Sequence, residues 1–402
     1  MKIFISCSNE DLALVEPYYA RLRAEGFKPW MVDKDLLPNQ NRMVEVEKAF
    51  ASANVIMMFI SSHCVSQSGF IQLGAQPALR SLEAMFATDK YVIPVILEPQ
   101  DVSSNTLNRL QHLSIRTYDD WMTVIRSLRL ADSHQKQVAN HGACHGPFRV
   151  FAEETKEAWM GRPGHDIAIS YPHFESMVYP VAALELTTLF SGRAASETIR
   201  ARTKPWSQLV RYCPDGPEEQ EKFLPKDGRW DKFTIDYASN SLLSLFYTVG
   251  TYSAGAAQPN SIYQTYNFLI YAERVVAIML PDLFAEDTPW LEKISEICIT
   301  RLYHEFWKRM NKEPSKIEME WIQRGAGARD ENFAAFTISA QHVSFLFAPF
   351  QVAAYELGSL RVDIPYHELR DVLRFDGVLD ILAPRIQSGR PATIAAPRES
   401  AW

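Results

Sequence analysis

The sequence predicts an α/β domain built on a doubly wound parallel sheet, followed by a mainly α-helical second domain. Over residues 2–97, apolar runs of strand length alternate with segments of helical spacing, which is the pattern of successive βα units. After about residue 149, the segments are long, apolar or amphipathic, and rich in Leu, Ala, Tyr and Phe. A chain of 402 residues is long enough to give each domain its own core.

The amino-terminal elements follow one another in a regular order. Lys2–Ser8 is predicted to be the first core strand and not a signal peptide, because no basic region or long apolar region precedes it. Asp11–Gly26 has helical spacing, with Asn9 or Asp11 as the predicted cap and Gly26 as the stop. The other predicted elements are a strand at Phe27–Val32, a helix near Met43–Ala51, and buried parallel strands at Val55–Ser61 and Tyr91–Leu97.

The boundary between the domains is predicted at residues 131–148, which are polar and punctuated by Gly and Pro, so that the first domain covers residues 1–130. His141, Cys144 and His145 in this linker raise a metal hypothesis, but no second ligand pair occurs elsewhere, and we predict no metal site. Five scattered cysteines favour a reducing compartment, so we expect a cytoplasmic protein.

The second domain, residues 149–402, is predicted to consist mainly of helices that sense a signal, bind a partner or set the oligomeric state. The helical segments are predicted at Val181–Phe190, Ser241–Val249, Ile262–Leu280, Trp290–Met310 and Phe333–Leu357. Glu273 and Arg274 within the third of them favour a buried helix over a membrane span, so no membrane association is predicted. Residues Val150–Ala158 and Lys232–Tyr237 fit a strand or a helix equally well.

Several ordered motifs in the first third of the chain carry a family resemblance. They are Ile5-Ser6 at the end of the first strand, the segment Glu25–Trp30, the loop Asp35–Pro38, the step Ser68–Phe70, the strand Val92–Val95 and the helix start Asp119–Trp121. Together they resemble a Toll/interleukin-1 receptor (TIR) domain of the bacterial type, over about residues 1–130. The resemblance implies a flavodoxin-like fold, self-association through the loop Asp35–Pro38, and in many members cleavage of the nicotinamide–ribose bond of NAD⁺.

Enzymatic members of that family use a glutamate shortly after the aromatic step, where a carboxylate stabilises the positive charge that develops on the ribose. An ungapped comparison places Gly74 at this position, and Pro77 disfavours the usual helix. Glu83 would lie roughly 13 Å further along a helix, too far to replace the glutamate. Cys7, Val32 and Asn39 also depart from the family pattern, in which Tyr, an acid and Gly are common. No catalytic residue is therefore assigned.

The cleft at the carboxyl ends of the strands is still predicted to exist, since doubly wound folds bind ligands there. NAD⁺ is its expected substrate or ligand, and no other cofactor is predicted. The residues predicted to line this nucleotide pocket are Ser6, Cys7, Ser8, Trp30, Asp33, Phe70 and Gly74.

The loop Asp35, Leu36, Leu37 and Pro38 is the predicted assembly site, because an exposed Leu-Leu pair lowers solubility unless it contacts a partner. The alternative is that both leucines fold onto the core of their own domain. A head-to-tail contact through this loop generates open filaments.

The second domain contains no recognisable catalytic motif. Charges within its apolar runs mark candidate ligand sites, or else internally paired core groups; they are Glu185, Glu273, Arg274, His304 and His342. A basic run contains Arg193, Arg200, Arg202, Lys204 and Arg211, with Trp206 and Tyr212 interleaved. The net charge of −7 makes nucleic-acid binding by this run unfavourable.

Three functional hypotheses follow from these features. The first is a TIR protein of a signalling or antiphage-defence type that acts by assembly with other TIR domains, with a degenerate active site. The second is an NAD⁺ hydrolase activated by assembly, or by a ligand or partner protein bound to the second domain. The third is a sensor whose second domain binds a small nucleotide. Gly74 is the residue that separates the first two hypotheses.

Overall fold

The computed structural model describes residues 1–37, 42–61, 91–97, 113–115, 117–161, 164–204, 226–256, 258–354 and 357–379. Phe70, Gly74, Pro77 and Pro38 lie outside the described residues, as do Asn39 and Glu83. The sequence-based predictions for these positions therefore stay predictions.

The amino-terminal domain is a parallel α/β fold. Its described elements are β1 (Lys2–Ser6), α1 (Leu12–Ala24), β2 (Lys28–Trp30), α2 (Val32–Asp35), α3 (Arg42–Ser52), β3 (Val55–Ile60), β4 (Tyr91–Ile96), β5 (Leu113–Ser114) and α4 (Tyr118–His141). The strands lie in the order β2-β1-β3-β4-β5, and each neighbouring pair is parallel. This is the flavodoxin-like order, so the predicted doubly wound sheet is confirmed for the described strands.

Two apolar layers explain why β3 is continuously apolar. Every residue of β3 is buried. Met57 and Phe59 face a layer formed with α1 and α4, whereas Ile56 and Met58 face a layer formed with α3. A parallel strand covered on both faces has no polar side, so its sequence shows no alternation.

The carboxy-terminal part contains long strands, and the prediction of a mainly helical domain is wrong. Its described elements are β6 (Ala143–His145), β7 (Phe148–Trp159), β8 (Gly164–Glu175), α5 (Pro180–Ala201), β9 (Lys226–Ala238), β10 (Leu242–Tyr252), β11 (Asn260–Ile270), β12 (Val275–Ala277), α6 (Trp290–Met310), α7 (Lys316–Gly325), β13 (Phe336–Ile338), β14 (His342–Phe347) and β15 (Leu360–Pro365). Within the described ranges, one sheet has the order β12-β11-β10-β9-β8-β7-β6 and a smaller one the order β13-β14-β15. The larger sheet is mixed, because β8 and β9 are parallel while the other neighbouring pairs are antiparallel.

Burial on both faces is the reason for the error. The segments predicted as helices at Ser241–Val249 and Ile262–Leu280 contain β10, β11 and β12, and Phe333–Leu357 contains β13 and β14. The large sheet is covered by α5 on one face, while part of its other face packs with α6 and the small sheet. β10, β13 and β14 are buried over most of their length, as is the end of β11, and a strand covered on both sides gives a continuous apolar run that periodicity does not separate from a buried helix. The predicted helices at Val181–Phe190 and Trp290–Met310 are confirmed.

The two ambiguous segments, Val150–Ala158 and Lys232–Tyr237, lie in β7 and β9. The segment predicted as a linker, residues 131–148, contains the end of α4 and all of β6. The chain therefore passes from the last helix of the first domain into the large sheet through one residue, Gly142. The domain boundary itself stays a prediction.

Candidate functional site

The carboxyl ends of β1 and β3 form the best-defined part of the predicted pocket. Ser6 is the last residue of β1, and Ser61 directly follows β3. Since β1 and β3 are parallel neighbours, their carboxyl ends lie side by side at one edge of the sheet. Ser6, Ser8 and Ser61 are all buried.

Asp11 organises this edge. Its carboxylate is fully buried, and its Oδ2 accepts hydrogen bonds from Ser8 Oγ at 2.6 Å and from Ser61 Oγ at 2.5 Å. Asp11, one of the two caps predicted from the sequence, occupies the N-cap position of α1, but its side chain makes no capping hydrogen bond there. The acid instead ties the loop after β1 to the end of β3. No local pattern in the sequence indicates this role, because Ser61 lies fifty positions away along the chain.

The other predicted pocket residues are placed differently. Cys7 is partly buried and packs against the apolar layer that α1 and α4 form on one face of the sheet. The indole of Trp30 stacks on Phe4, with ring centres 5.4 Å apart, and lines a cavity of about 200 Å³ with Lys2 and Ala53. Because Lys2 and Ala53 lie at the amino ends of β1 and β3, this cavity lies away from the predicted cleft.

Asp33 is exposed on α2. Of the described pocket residues, the consecutive Ser6, Cys7 and Ser8 thus lie at the carboxyl end of β1. Asp11 and Ser61, which were not predicted for the pocket, join them there, because Asp11 accepts hydrogen bonds from both Ser8 and Ser61. Phe70 and Gly74 lie outside the described residues.

The predicted assembly loop is anchored at one end and exposed at the other. The carboxylate of Asp35 accepts a hydrogen bond from Tyr19 Oη at 2.9 Å and another from the Met31 N–H at 2.8 Å. Burial and then this bond to Asp35 raise the pKa of Tyr19. Leu36 is half-buried, whereas the Leu37 side chain is 63% exposed. Asp35 is therefore a structural anchor, and Leu37 is the apolar group that the described loop presents to solvent.

Most of the charged and histidine residues that the sequence marked as candidate ligand sites in the second domain lie on the surface. Glu273, Arg274 and His304 are exposed, and His342 is partly exposed. Glu185 accepts a hydrogen bond from the Val275 N–H at 2.8 Å and so protects the edge strand β12.

The basic run does not form one surface in the part that the structure describes. The Arg193 side chain is buried against Asp231, while Arg200 and Arg202 form ion pairs with Glu197 and Glu157. Arg211, Trp206 and Tyr212 lie outside the described residues.

Sequence reasoning missed a buried ionic network between α5 and the large sheet. Arg193 on α5 donates to Asp231 Oδ2 at 2.7 Å and stacks over the Tyr247 ring, with its Cζ 3.7 Å from the ring centre. Arg229 donates to both oxygens of Asp231 and to Glu197 Oε2 at 2.6 Å. Burial opposes the charge of Arg229, but the contacts with Asp231 and Glu197 outweigh it and raise its pKa. The opposite charges at Arg229 and Asp231, two positions apart, were the feature of the sequence that could have indicated this network.

The residues considered as metal ligands lie at the end of α4, in the case of His141, and in β6, in the case of Cys144 and His145. Cys144 is exposed. Among the described residues, no group of three His, Cys, Asp or Glu side chains has an arrangement suited to a metal ion.

Comparison with known proteins identifies the amino-terminal fold. Residues 3–128 match the family model described as TIR domain. This part of the chain is a TIR domain. The buried edge around Asp11 and the exposed Leu37 therefore belong to the TIR domain, and α4 is its last helix.

A second family model and one curated relative also match parts of the chain. Residues 281–367, which include α6, α7 and the small sheet, match the family model described as protein of unknown function (DUF3298). The chain is 30% identical over 120 residues to the peptidoglycan-N-acetylmuramic acid deacetylase PdaC of Bacillus subtilis. The match covers 30% of this chain and 24% of PdaC, so the chain spans about a quarter of the length of that relative.

Two solved structures of DUF3298 family proteins are similar to this chain. One, from Bacteroides fragilis, is 15% identical, with a TM-score of 0.42 over 60% of this chain and 98% of the other. The second, from Pseudomonas aeruginosa, is 13% identical, with a TM-score of 0.38 over 57% of this chain and 95% of the other.

Among the helices that the structure describes, none combines the length and the apolar character needed to cross a bilayer. The predicted cytoplasmic location stays a prediction.

Proposed function

We propose that this chain is a signalling or antiphage-defence protein in which the TIR domain acts by assembly with other TIR domains. The carboxy-terminal part, with its DUF3298 domain, is the sensing module that responds to a ligand or a partner protein. The observation that carries the proposal is the start of the loop before α3. The Asp35 carboxylate accepts hydrogen bonds from Tyr19 and Met31, while the side chain of Leu37 stays largely exposed.

The anchoring of Asp35 makes Leu37 suited to docking. A group whose position is restrained before binding loses less conformational entropy when it binds, so more of the interaction free energy remains for association. Asp35 holds the chain two residues before Leu37, so the exposed leucine offers apolar surface close to a fixed point. If the surface that receives the loop lies elsewhere on the TIR domain, the contact is head to tail and produces filaments instead of closed dimers.

Replacement of Leu37 by aspartate tests the proposal. We expect Leu37→Asp to abolish the concentration-dependent growth of particles in light scattering, because a carboxylate would have to be desolvated in the interface. Leu130→Asp is the matched control, because Leu130 is 72% exposed on α4 of the same domain. Particle growth that persists in Leu37→Asp, or that Leu130→Asp also abolishes, would remove the loop from the assembly mechanism.

NAD⁺ hydrolysis is the second candidate function, and the ordered edge around Ser6, Ser8 and Ser61 supports it. We expect purified wild-type protein to release no nicotinamide from NAD⁺, because Gly74 provides no carboxylate at the family position. The variant Gly74→Glu is expected to gain weak activity or none, since Pro77 and Val32 also depart from the family pattern. Nicotinamide release is measured at low and high protein concentration, with and without cell extract.

Turnover by the wild-type protein would make the chain an effector enzyme with an acid from another position or chain. Strong turnover by Gly74→Glu alone would show that the remaining scaffold is competent. A nucleotide-sensing role is tested separately, by ligand binding to the full chain when NAD⁺ is not consumed.

A further inference from the structure

In the part of the chain that the structure describes, two attachments between the TIR domain and the carboxy-terminal module stand out. The first is covalent: α4 ends at His141, and after Gly142 the chain enters β6, which pairs with β7. Gly142 has a φ of +70°, and a Cβ there would lie 2.6 Å from Arg149 Cγ and 3.1 Å from the Phe151 ring. This junction is a tight left-handed turn that packs on β7.

The second attachment is an ion pair. Lys48 Nζ on α3 lies 2.9 Å from Asp166 Oδ2 on β8 of the module. Lys48 also lies 3.4 Å from Glu45 Oε1, one turn earlier on α3. Asp166 is opposite Ala158 near the end of β7, whereas Gly142 packs on Arg149 and Phe151 near its start, so the two attachments hold opposite ends of this strand.

The position of Lys48 connects this ion pair to assembly. The chain passes from Leu37 to the start of α3 at Arg42 within a few residues, and Lys48 lies on the same helix. A module held against α3 therefore restrains the helix that follows the docking loop in the chain. We propose that the Lys48–Asp166 ion pair is a latch that holds the TIR domain on the module and limits assembly until the module releases it. This inference rests on the proposed function.

The strength of the pair suits a latch. The side chains of Lys48 and Asp166 are 25% and 43% exposed, so solvent screens their attraction. Ion pairs of this kind shift an equilibrium by about two- to fivefold. The latch is therefore weak enough for a ligand or a partner of the module to open it.

The module holds the Asp166 end of the latch through its neighbour His165. The imidazole Nδ1 accepts a hydrogen bond from the Thr203 N–H at 3.2 Å, so Nε2 donates to Glu157 Oε1 at 3.1 Å. Arg202 donates to both oxygens of Glu157 at 2.8 Å. Thr203 and Arg202 directly follow α5. A shift of the carboxyl end of α5 would thus move the strand end that carries Asp166.

Charge reversal in the full chain tests the latch. Asp166→Lys places a cation beside Lys48, and we expect the protein concentration at which half of the chains are in large particles to fall by about two- to fivefold. The charge-swapped variant Lys48→Asp/Asp166→Lys is expected to return this concentration to the wild-type value. Asp371→Lys is the control, because Asp371 pairs with Lys293 at 3.3 Å within the module.

The possible results separate the latch from the proposed function. Adding Leu37→Asp to Asp166→Lys must remove the extra particles, otherwise they are non-specific aggregates and the latch is wrong. If Asp166→Lys assembles like the wild type while Leu37→Asp abolishes assembly, the latch is wrong and the proposed function stands. If neither the wild type nor Asp166→Lys forms particles at any concentration, the proposed function fails and the latch with it.

Discussion

Replacement of Asp231 by alanine is expected to lower the free energy of unfolding of the carboxy-terminal module by about 3–5 kcal/mol. The Asp231 side chain is fully buried, and it accepts hydrogen bonds from two arginines, Arg193 and Arg229, whose side chains are 7% and 13% exposed. Without the carboxylate, Arg193 keeps its hydrogen bond to Gln264 and its contact with the Tyr247 ring, and Arg229 keeps its ion pair with Glu197. A buried cation that loses its counter-charge is costly because it stays desolvated.

Urea denaturation of the full chain, followed by far-UV circular dichroism, measures this loss. Asp371→Ala is the control, since Asp371 pairs with Lys293 on the surface and its removal is expected to cost less than about 1 kcal/mol. The double variant Arg193→Met/Asp231→Leu should recover part of the lost stability, because it removes two of the buried charges together. Equal losses in Asp231→Ala and Asp371→Ala would show that the network contributes little.

The parallel domain was predictable from sequence because its signals are local. Each strand of β1, β3 and β4 is an apolar run bounded by turn or helix signals, and the order of βα units leaves few topologies. The carboxy-terminal strands lack such signals. Leu242–Val249 of β10 is buried on nearly every residue, so its sequence has neither the alternation of a half-exposed strand nor a distinctive length.

The candidate sites were predictable to different degrees for a related reason. The assembly loop is contiguous in sequence, which left two alternatives open for its leucines; in the structure Leu37 is exposed and Leu36 is half-buried. Asp35 was predicted as part of a docking surface, yet the structure uses it as an anchor for Tyr19, a contact formed only when the helix and the loop pack together. The edge around Asp11 depends on residues that meet only in the folded chain, so no spacing in the sequence indicates it. The network around Asp231 also joins distant residues, and its local indication in the sequence is limited to the alternating charges at Arg229 and Asp231.

Asp11 is the position where a structural role and a catalytic role predict different results. We expect Asp11→Leu to destabilise the TIR domain by about 3–5 kcal/mol, because the hydroxyls of Ser8 and Ser61 lose a charged acceptor and each such bond contributes about 1.5–3 kcal/mol. Asp11→Asn keeps one oxygen as acceptor and is expected to cost about half as much. Asp33→Leu, at an exposed acid on α2, is the control, with an expected cost below about 1 kcal/mol.

Thermal unfolding of the three variants measures these costs, and an NAD⁺ assay on the same samples distinguishes the roles. A buried carboxylate that only holds Ser8 and Ser61 affects activity in proportion to the fraction of folded protein. If the wild type cleaves NAD⁺ and the folded Asp11→Asn does not, the carboxylate acts on the substrate, and the site must open to admit it. If neither protein cleaves NAD⁺ while both assemble, the role of Asp11 is to hold Ser8 and Ser61, and TIR assembly remains the proposed function.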